Sequence, residues 1–294
     1  MLQTKSQSRT ARILRITPDQ VHHVMEKAVE FGLQHRPKKN YNNLCIDEKS
    51  IHGREFLSIL YDGDSNIVLD VVEGRTEKAV KALITNTLTV SQMGNVFTFA
   101  MDMWEPFRKV VRSLMPYAQI CHDLYHCVSY LNKAIDQVRH REVKKHEDLR
   151  RTRYLWLKDQ GAWTEIQHDK SNAIDKANRE TAQAWRIKED FRDILHTRDR
   201  AEAWSLFNIW CATANKFNIK EITDVVEMFE RHEKGIINAF VTGRNNGRAE
   251  RLNGSIQELK TIGRGYKDVN RFRIAILFFH GGLALHKDFF VNSH

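Results

Sequence analysis

Asp47 in NNLCIDEKS, Asp102 in VFTFAMDMW and Glu250 in NNGRAERLN are the residues of this chain best suited to do chemistry. Asp47 and Asp102 each close an apolar run of the kind that forms a buried strand, and Glu250 falls in the first turn of an amphipathic helical pattern. Carboxylates are hard oxygen ligands that suit Mg²⁺, as thiols do not. Held around one point, they can fix a pair of divalent ions about 3.5–4 Å apart. Such a pair activates a nucleophile and stabilises a leaving oxygen when a phosphodiester bond is cut or joined. Taken singly, each acid is more often a solvated turn residue. The three settings together carry the case.

The elements that must position them follow from local patterning. Residues 1–16 read as a frayed basic lead. Thr17, Pro18 and Gln20 then make a capping-box start, and Val21, Val24, Met25 and Ala28 form the apolar stripe of a helix over 17–31. A polar basic linker, QHRPKKNYN, leads into strands at 42–47, 54–62 and 66–74, the last two joined by the hairpin turn DGDSN. A helix at about 76–88, a strand at 95–102, a helix at 105–115 and a strand at 118–123 complete a mixed sheet covered by helices. If the strands ending in Asp47 and Asp102 are neighbours, both carboxylates emerge at one sheet edge. From about 125 to 240 only helical stripes remain, including Val128, Leu131, Ile135 and Val138. Two helices, 246–262 and roughly 268–290, end the chain. On the first, Leu252, Ile256 and Leu259 face a core while Glu250, Asn253 and Gln257 occupy another face.

Composition narrows the class. With 294 residues, 41% hydrophobic content and 4 prolines, the chain is long and apolar enough to bury a sizeable core. No apolar run reaches the ~18 residues of a membrane span, and the polar N-terminus lacks a secretory signal. The cysteines at 45, 121, 127 and 211 form no framework, which suits free thiols in a reducing cytoplasm. A net charge of +9 favours a polyanion, nucleic acid first.

Several features sort into partners and decoys. RHREVKKHEDLRRTR supplies Arg139, Arg141, Lys144, Lys145, Arg150, Arg151 and Arg153, a surface able to follow a DNA backbone or simply a solvated helix face. Arg264 and Lys267 in GRGYK are expected on DNA phosphates. That segment follows a helix, so it is no nucleotide fingerprint. Trp156, Trp163 and Trp185 are candidates to stack on unpaired bases, whereas core packing is expected of Trp204 and Trp210. Cys121, His122, His126 and Cys127 lack the spacing of a zinc knuckle. DGDSN lacks the bidentate Glu of a calcium loop.

Four blocks, in order, resemble the ISL3 family of bacterial insertion-sequence transposases of the DDE superfamily, over about residues 40 to 285. They are IDEKS, YDGDSNIVLDVVEGRTEKAV, FAMDMWEPFRKVVRSLMPYAQICHDLYHCVSYLNKAIDQVRH and NNGRAERLNGSIQELKTIGRGYKDVNRFRIAILF. The resemblance implies an α/β fold of RNase H-like (retroviral-integrase-like) type, a mixed sheet with a large all-helical insertion. The division it suggests is 1–41 as remnant of a DNA-binding region, 42–124 as the first part of the core, 125–240 as the insertion and 241–294 as the last part of the core. It implies Asp47, Asp102 and Glu250 as catalytic, metal-binding residues for two Mg²⁺ ions, with Mn²⁺ as a substitute. By the same resemblance Asp123 and His126 support the metal ligands or position DNA, with a structural hydrogen bond at a helix start as the equal alternative for that pair; Asn253, on the Glu250 face of its helix, is expected in the same supporting role. The implied partners are the terminal inverted repeats of an insertion sequence, target DNA and further copies of the chain, in a bacterial cytoplasm at the nucleoid. Family members usually carry a zinc-binding segment and a helix-turn-helix before the catalytic domain. Only about 40 residues precede Asp47 here, so a catalytic region without that segment is expected.

The leading expectation is metal-dependent cleavage and strand transfer at element ends. Two others stand beside it: a transposase-derived protein that binds DNA or inhibits without catalysis, and a stand-alone RNase H-like nuclease.

Overall fold

The computed structural model describes residues 5–51, 55–158, 161, 163–172, 174, 179–243, 247–263, 266 and 268–286; the side chains of 170 and 247–250 are outside that set. The chain divides into two compact units, one of residues 1–120 and 246–294, the other of residues 121–245.

The first unit opens with α1 (Gln7–Leu14) and α2 (Pro18–Gln34). The sequence suggested a frayed lead before residue 17, and α1 corrects it. Ser6 caps the helix by accepting from the Arg9 N–H at 3.3 Å, and Thr10 and Ala11 are buried as α1 packs on α2. So short a helix has little periodicity to betray it, and tertiary packing supplies its stability. α2 carries the expected capping box, with Thr17 Oγ1 accepting from Gln20 N–H at 3.2 Å and Gln20 Oε1 from Thr17 N–H at 2.8 Å.

Strands β1 (Asn43–Ser50), β2 (Phe56–Asp62) and β3 (Val68–Glu73) form an antiparallel meander. Then come α3 (Glu77–Thr87), a short α4 (Val90–Gly94) absent from the sequence reading, β4 (Thr98–Met101), α5 (Glu105–Leu114) and β5 (Gln119–His122). The sheet order is β3-β2-β1-β4-β5, with β1 and β4 parallel, so the sheet is mixed and β1 is central. Leu44 and Ile46 of β1, with Phe99 and Met101 of β4, face a core completed by Val80 and Ile84 of α3 and Phe107 and Val111 of α5. The opposite face receives α13 (Gly247–Ile262) and α14 (Val269–His280); Arg273 of α14 bonds Asp70 of β3 at 2.8 Å. α14 ends at His280, well short of the residue 290 suggested by the sequence; Gly281 caps it and Gly282 takes φ +57.

The β2–β3 hairpin closes on Asp62, whose carboxylate accepts from Lys39 Nζ at 2.8 Å, Ser65 Oγ at 2.7 Å and the Asp64 N–H at 3.0 Å. Burial alone would push this carboxyl up, but those donors outweigh it and hold it below the usual carboxylate range. A depressed native value contributes stability that is present above the unfolded value and lost as pH falls through the folded one. Asp62→Asn is therefore expected to cost about 2 kcal/mol near neutral pH, with the gap to wild type closing in acid below the ordinary carboxylate range. Urea melts across pH check this; a gap that stays constant would contradict it.

The second unit is helical among its described residues after β5: α6 (Leu124–Glu142), a 3₁₀ turn (Glu147–Leu149), α7 (Arg153–Leu157), α8 (Glu165–Asn172), α9 (Glu180–Ile194), α10 (Arg200–Lys216), α11 (Lys220–Arg231) and α12 (Glu233–Thr242). α6 packs on α7, α9 and α11. Here four of the five tryptophans singled out by sequence reverse their expected fates. Trp156, Trp163 and Trp185 are buried together, Trp163 stacked on Trp185 with centroids 5.4 Å apart and Trp156 edge-on to Trp185 at 6.2 Å. Two of the indoles find internal acceptors: Trp156 Nε1 donates to Thr152 Oγ1 and Trp163 Nε1 to the Leu155 carbonyl. None of the three presents a face to a nucleic-acid base. Trp204, expected in a core, is 56% exposed. Trp210 is buried between Phe191 and Phe229, as its helical stripe suggested. Among the described residues no helix is long and apolar enough to cross a membrane.

Candidate active site

Asp47 and Asp102 owe their placement to the pairing of β1 with β4. The register sets Asn43 beside Thr98, Leu44 beside Phe99 and Cys45 beside Ala100. Continued two residues, that offset brings Asp47 level with Asp102, which directly follows β4; β1 runs on to Ser50 through its pairing with β2, so Asp47 lies within its strand and does not close it as the apolar run suggested. Because side chains alternate across a strand, Asp47 and Asp102 share the face opposite the Leu44, Ile46, Phe99 and Met101 core. The start of the pairing is locked on this same face by a bond from Thr98 Oγ1 to Asn43 Oδ1, and Asn43 Nδ2 in turn donates to the Asp64 carboxylate at 2.9 Å.

Each acid is oriented by the residue that follows it. Asp47 Oδ1 accepts from the Glu48 N–H at 2.7 Å, and Asp102 Oδ1 from the Met103 N–H at 2.6 Å. Asp47 Oδ2 accepts from Asn253 Nδ2, which brings α13 onto this edge. Further along, Lys260 Nζ donates to the Ser50 carbonyl at 3.0 Å, fastening α13 along the end of β1. Leu252, Ile256 and Leu259 are buried beneath that helix, so its apolar stripe directs the Asn253 face toward the acids. Glu250 lies one turn before Asn253 in the first turn of α13, and its side chain is outside the described residues. Lys49, two residues after Asp47, is half-buried; burial pushes its ammonium down and outweighs the attraction of Asp47.

The donor set is all hard oxygen. Among the described residues no group of three or more His, Cys, Asp and Glu side chains forms a metal-binding cluster. Asp47 and Asp102 make two carboxylates, and the third candidate is Glu250. Paired acids at one sheet edge, with their carboxylates already oriented by backbone donors, suit a divalent cation.

The other residues singled out by sequence fall elsewhere. Asp123 caps α6, accepting from the Tyr125 N–H at 2.9 Å, and lies 3.6 Å from His126 Nε2. That is the helix-start hydrogen bonding that a purely structural role requires. Both belong to the second unit. Cys121, Cys127 and His122 are buried in that unit, and Cys45, Cys121, Cys127 and Cys211 form no disulfide.

The basic segment is less available than its composition suggested. Arg139 is buried and donates to Asp136 at 2.8 Å, so its charge is consumed within the fold and it is withdrawn from the DNA-facing set. Arg141 is gripped by Glu221 and Glu180, which push its guanidinium up. Arg150 and Arg153 are exposed but paired to Glu147 and Asp136. Lys144, Lys145 and Arg151 remain exposed. Arg264 and Lys267 lie outside the described residues. Sequence reasoning missed a groove of about 850 Å³ in the first unit, lined by Arg9, Arg12, Tyr266, Asp268 and by Lys5 and Arg271, which pair with Glu258 and Asp19. Arg9 and Arg12 are exposed on α1, an element the sequence did not announce.

Sequence reasoning also passed over Arg75 and Trp104. Arg75 donates to both oxygens of Glu48, at 3.1 and 3.0 Å, and its guanidinium lies over the rings of Phe56 and Trp104, 4.0 and 4.4 Å from their centroids. The available signal was Gly-Arg placed between a strand and a helix cap.

Comparison with known proteins adds an independent line. A family described as Transposase, the ISL3 group of DDE enzymes, matches residues 44–276. The chain is similar to the transposase for insertion sequence element IS1001 of Bordetella parapertussis, 22% identical over 242 residues that cover 79% of this chain and 59% of that protein. It is also similar to the transposase for insertion sequence element IS1557 of Mycobacterium tuberculosis, 23% identical over 258 residues, 78% of this chain and 57% of that one. The chain thus spans less than three-fifths of the length of the curated relatives it matches.

Proposed function

Because the chain belongs to the ISL3 family of DDE transposases, we propose that it is the catalytic part of a DNA transposase, cleaving and joining strands at insertion-sequence ends with two divalent ions. The observation that carries this reading is the level placement of Asp47 and Asp102 on adjacent parallel strands, with Asn253 of the Glu250-bearing helix bonded to Asp47. A mixed sheet with β1 central and helices on both faces accords with an RNase H-like core, and the helical unit of residues 121–245 with an insertion ahead of the third acid.

In this reading Asp47 and Asp102 hold the ions and Glu250 completes the second position. Two Mg²⁺ ions, or Mn²⁺ in their place, supply Lewis-acid activation of the attacking oxygen and stabilisation of the leaving one. The chain's own task is orientation. The Glu48 and Met103 N–H groups hold one oxygen of each aspartate, so the carboxylates enter the reaction already aimed and little reorganisation remains. Asn253 ties the Glu250 helix to the same edge. Lys144, Lys145, Arg151 and the groove with Arg9 and Arg12 supply cations for phosphates of the element's terminal repeats and of target DNA. Assembly of several copies on paired ends, at the bacterial nucleoid, belongs to the same proposal.

Purified protein and a Glu250→Gln variant, each incubated with supercoiled plasmid and Mg²⁺ or Mn²⁺, test it. Nicking by the wild type that is lost in the variant is expected, with salt-sensitive DNA binding unchanged. Nicking retained by Glu250→Gln would remove Glu250 from the site. DNA binding without nicking by either protein would favour a non-catalytic role.

A further inference from the structure

Arg75 sits behind the sheet from the acids. Glu48 alternates with Asp47 on β1 and so points to the opposite face, where Phe56 of β2 also lies. The chain leaves β3 through Gly74, whose φ of +87 is a left-handed conformation that suits glycine, and Thr76 then caps α3. Arg75, held between that turn and that cap, donates from Nη1 to both oxygens of the Glu48 carboxylate while its guanidinium carbon lies over the rings of Phe56 and Trp104. Trp104 Nε1 returns a bond to the Arg75 carbonyl at 3.2 Å.

The positions of these partners matter. Glu48 is the residue whose N–H orients Asp47, and Trp104 directly follows Met103, whose N–H orients Asp102. One guanidinium therefore ties together the two backbone segments that aim the two acids. We propose that Arg75 is a positioning residue, a brace that sets the separation and orientation of Asp47 and Asp102 through Glu48 and Trp104. The functional consequence rests on the metal-site reading above; the mechanical one does not. Stacking against two rings needs the planar guanidinium, so lysine at this position supplies the charge without that geometry.

The test compares wild type, Arg75→Ala and Arg75→Lys in two measurements made without DNA or turnover. The first is Mn²⁺ binding followed by electron paramagnetic resonance. The second is amide hydrogen exchange over residues 47–50 and 102–105. Arg75→Ala is expected to weaken Mn²⁺ binding 10–100-fold, the scale of losing a residue that orients metal ligands, and to speed exchange in both segments together. Arg75→Lys is expected to recover little of either while melting close to wild type, and it carries the test if the alanine variant folds poorly. A folded Arg75→Lys protein with wild-type Mn²⁺ affinity and wild-type exchange would overturn the brace. A wild-type protein that binds no Mn²⁺ would overturn the metal reading instead, and the exchange data would still decide the brace.

Discussion

Asp102→Asn is expected to lower metal-dependent plasmid nicking by about 10³-fold, the rate equivalent of about 4 kcal/mol of lost charge stabilisation. The argument turns on what the substitution keeps. An asparagine Oδ1 can still accept from the Met103 N–H, the bond now made at 2.6 Å, so the link after β4 has no reason to move. The side chain is only partly buried, and an amide of the same shape introduces no cavity. What disappears is one negative charge beside Asp47, and with it the attraction for a divalent ion. Thermal stability should stay close to wild type, and duplex binding through the basic surfaces should persist. Parallel assays of nicking, melting and DNA binding separate these effects. Nicking at more than a tenth of the wild-type rate would place the metal chemistry elsewhere. Loss of nicking together with collapse of the melting transition would mean that Asp102 serves the fold first.

Trp156→Ala should destabilise the helical unit by about 3–5 kcal/mol, whereas Trp204→Ala should stay within about 0.5 kcal/mol of wild type. Trp156 is fully buried at the junction of α7 and α9, edge-on to Trp185, with its indole N–H bonded to Thr152 Oγ1 at 2.9 Å. Truncation leaves a ring-sized cavity, a hydroxyl without its donor, and a weakened wall around Lys188, whose buried ammonium donates to the Trp156 carbonyl at 2.8 Å. Trp204, more than half exposed on α10, has far less packing to lose. Chemical denaturation of both variants decides between packing and recognition. A Trp156→Ala protein of wild-type stability that loses affinity for single-stranded DNA would restore the base-stacking role that the buried cluster removes.

The strands and the principal helices of the first unit were legible because their signals are local. NNLCID and NVFTFAMD are short apolar runs bounded by turn residues, and they became β1 and β4 with shifts of a few residues at their ends. Thr17 and Gln20 announced a capping box, which forms as written. The fates of single side chains were less legible. Trp156 and Trp204 are both indoles in helical stretches, and the sequence around each does not reveal which other helix covers it. Arg139 carries the same charge as Lys144, but only the folded α6 sets Asp136 one turn away to consume it. α1 escaped notice for a related reason, since eight residues burying only Thr10 and Ala11 hold together through α2.

The sequence by itself determined which acids were available and that two of them follow short apolar strand runs, because apolar runs, caps and turn residues act over a few neighbours. Four ordered blocks also determined the family. Only the tertiary structure decided that β1 lies beside β4 in the register that levels Asp47 with Asp102, that α13 comes down on the same edge through Asn253, and that Arg75 stands behind both acids. Those outcomes depend on which face of each element loses most water against partners distant in the chain, and no local pattern encodes that choice.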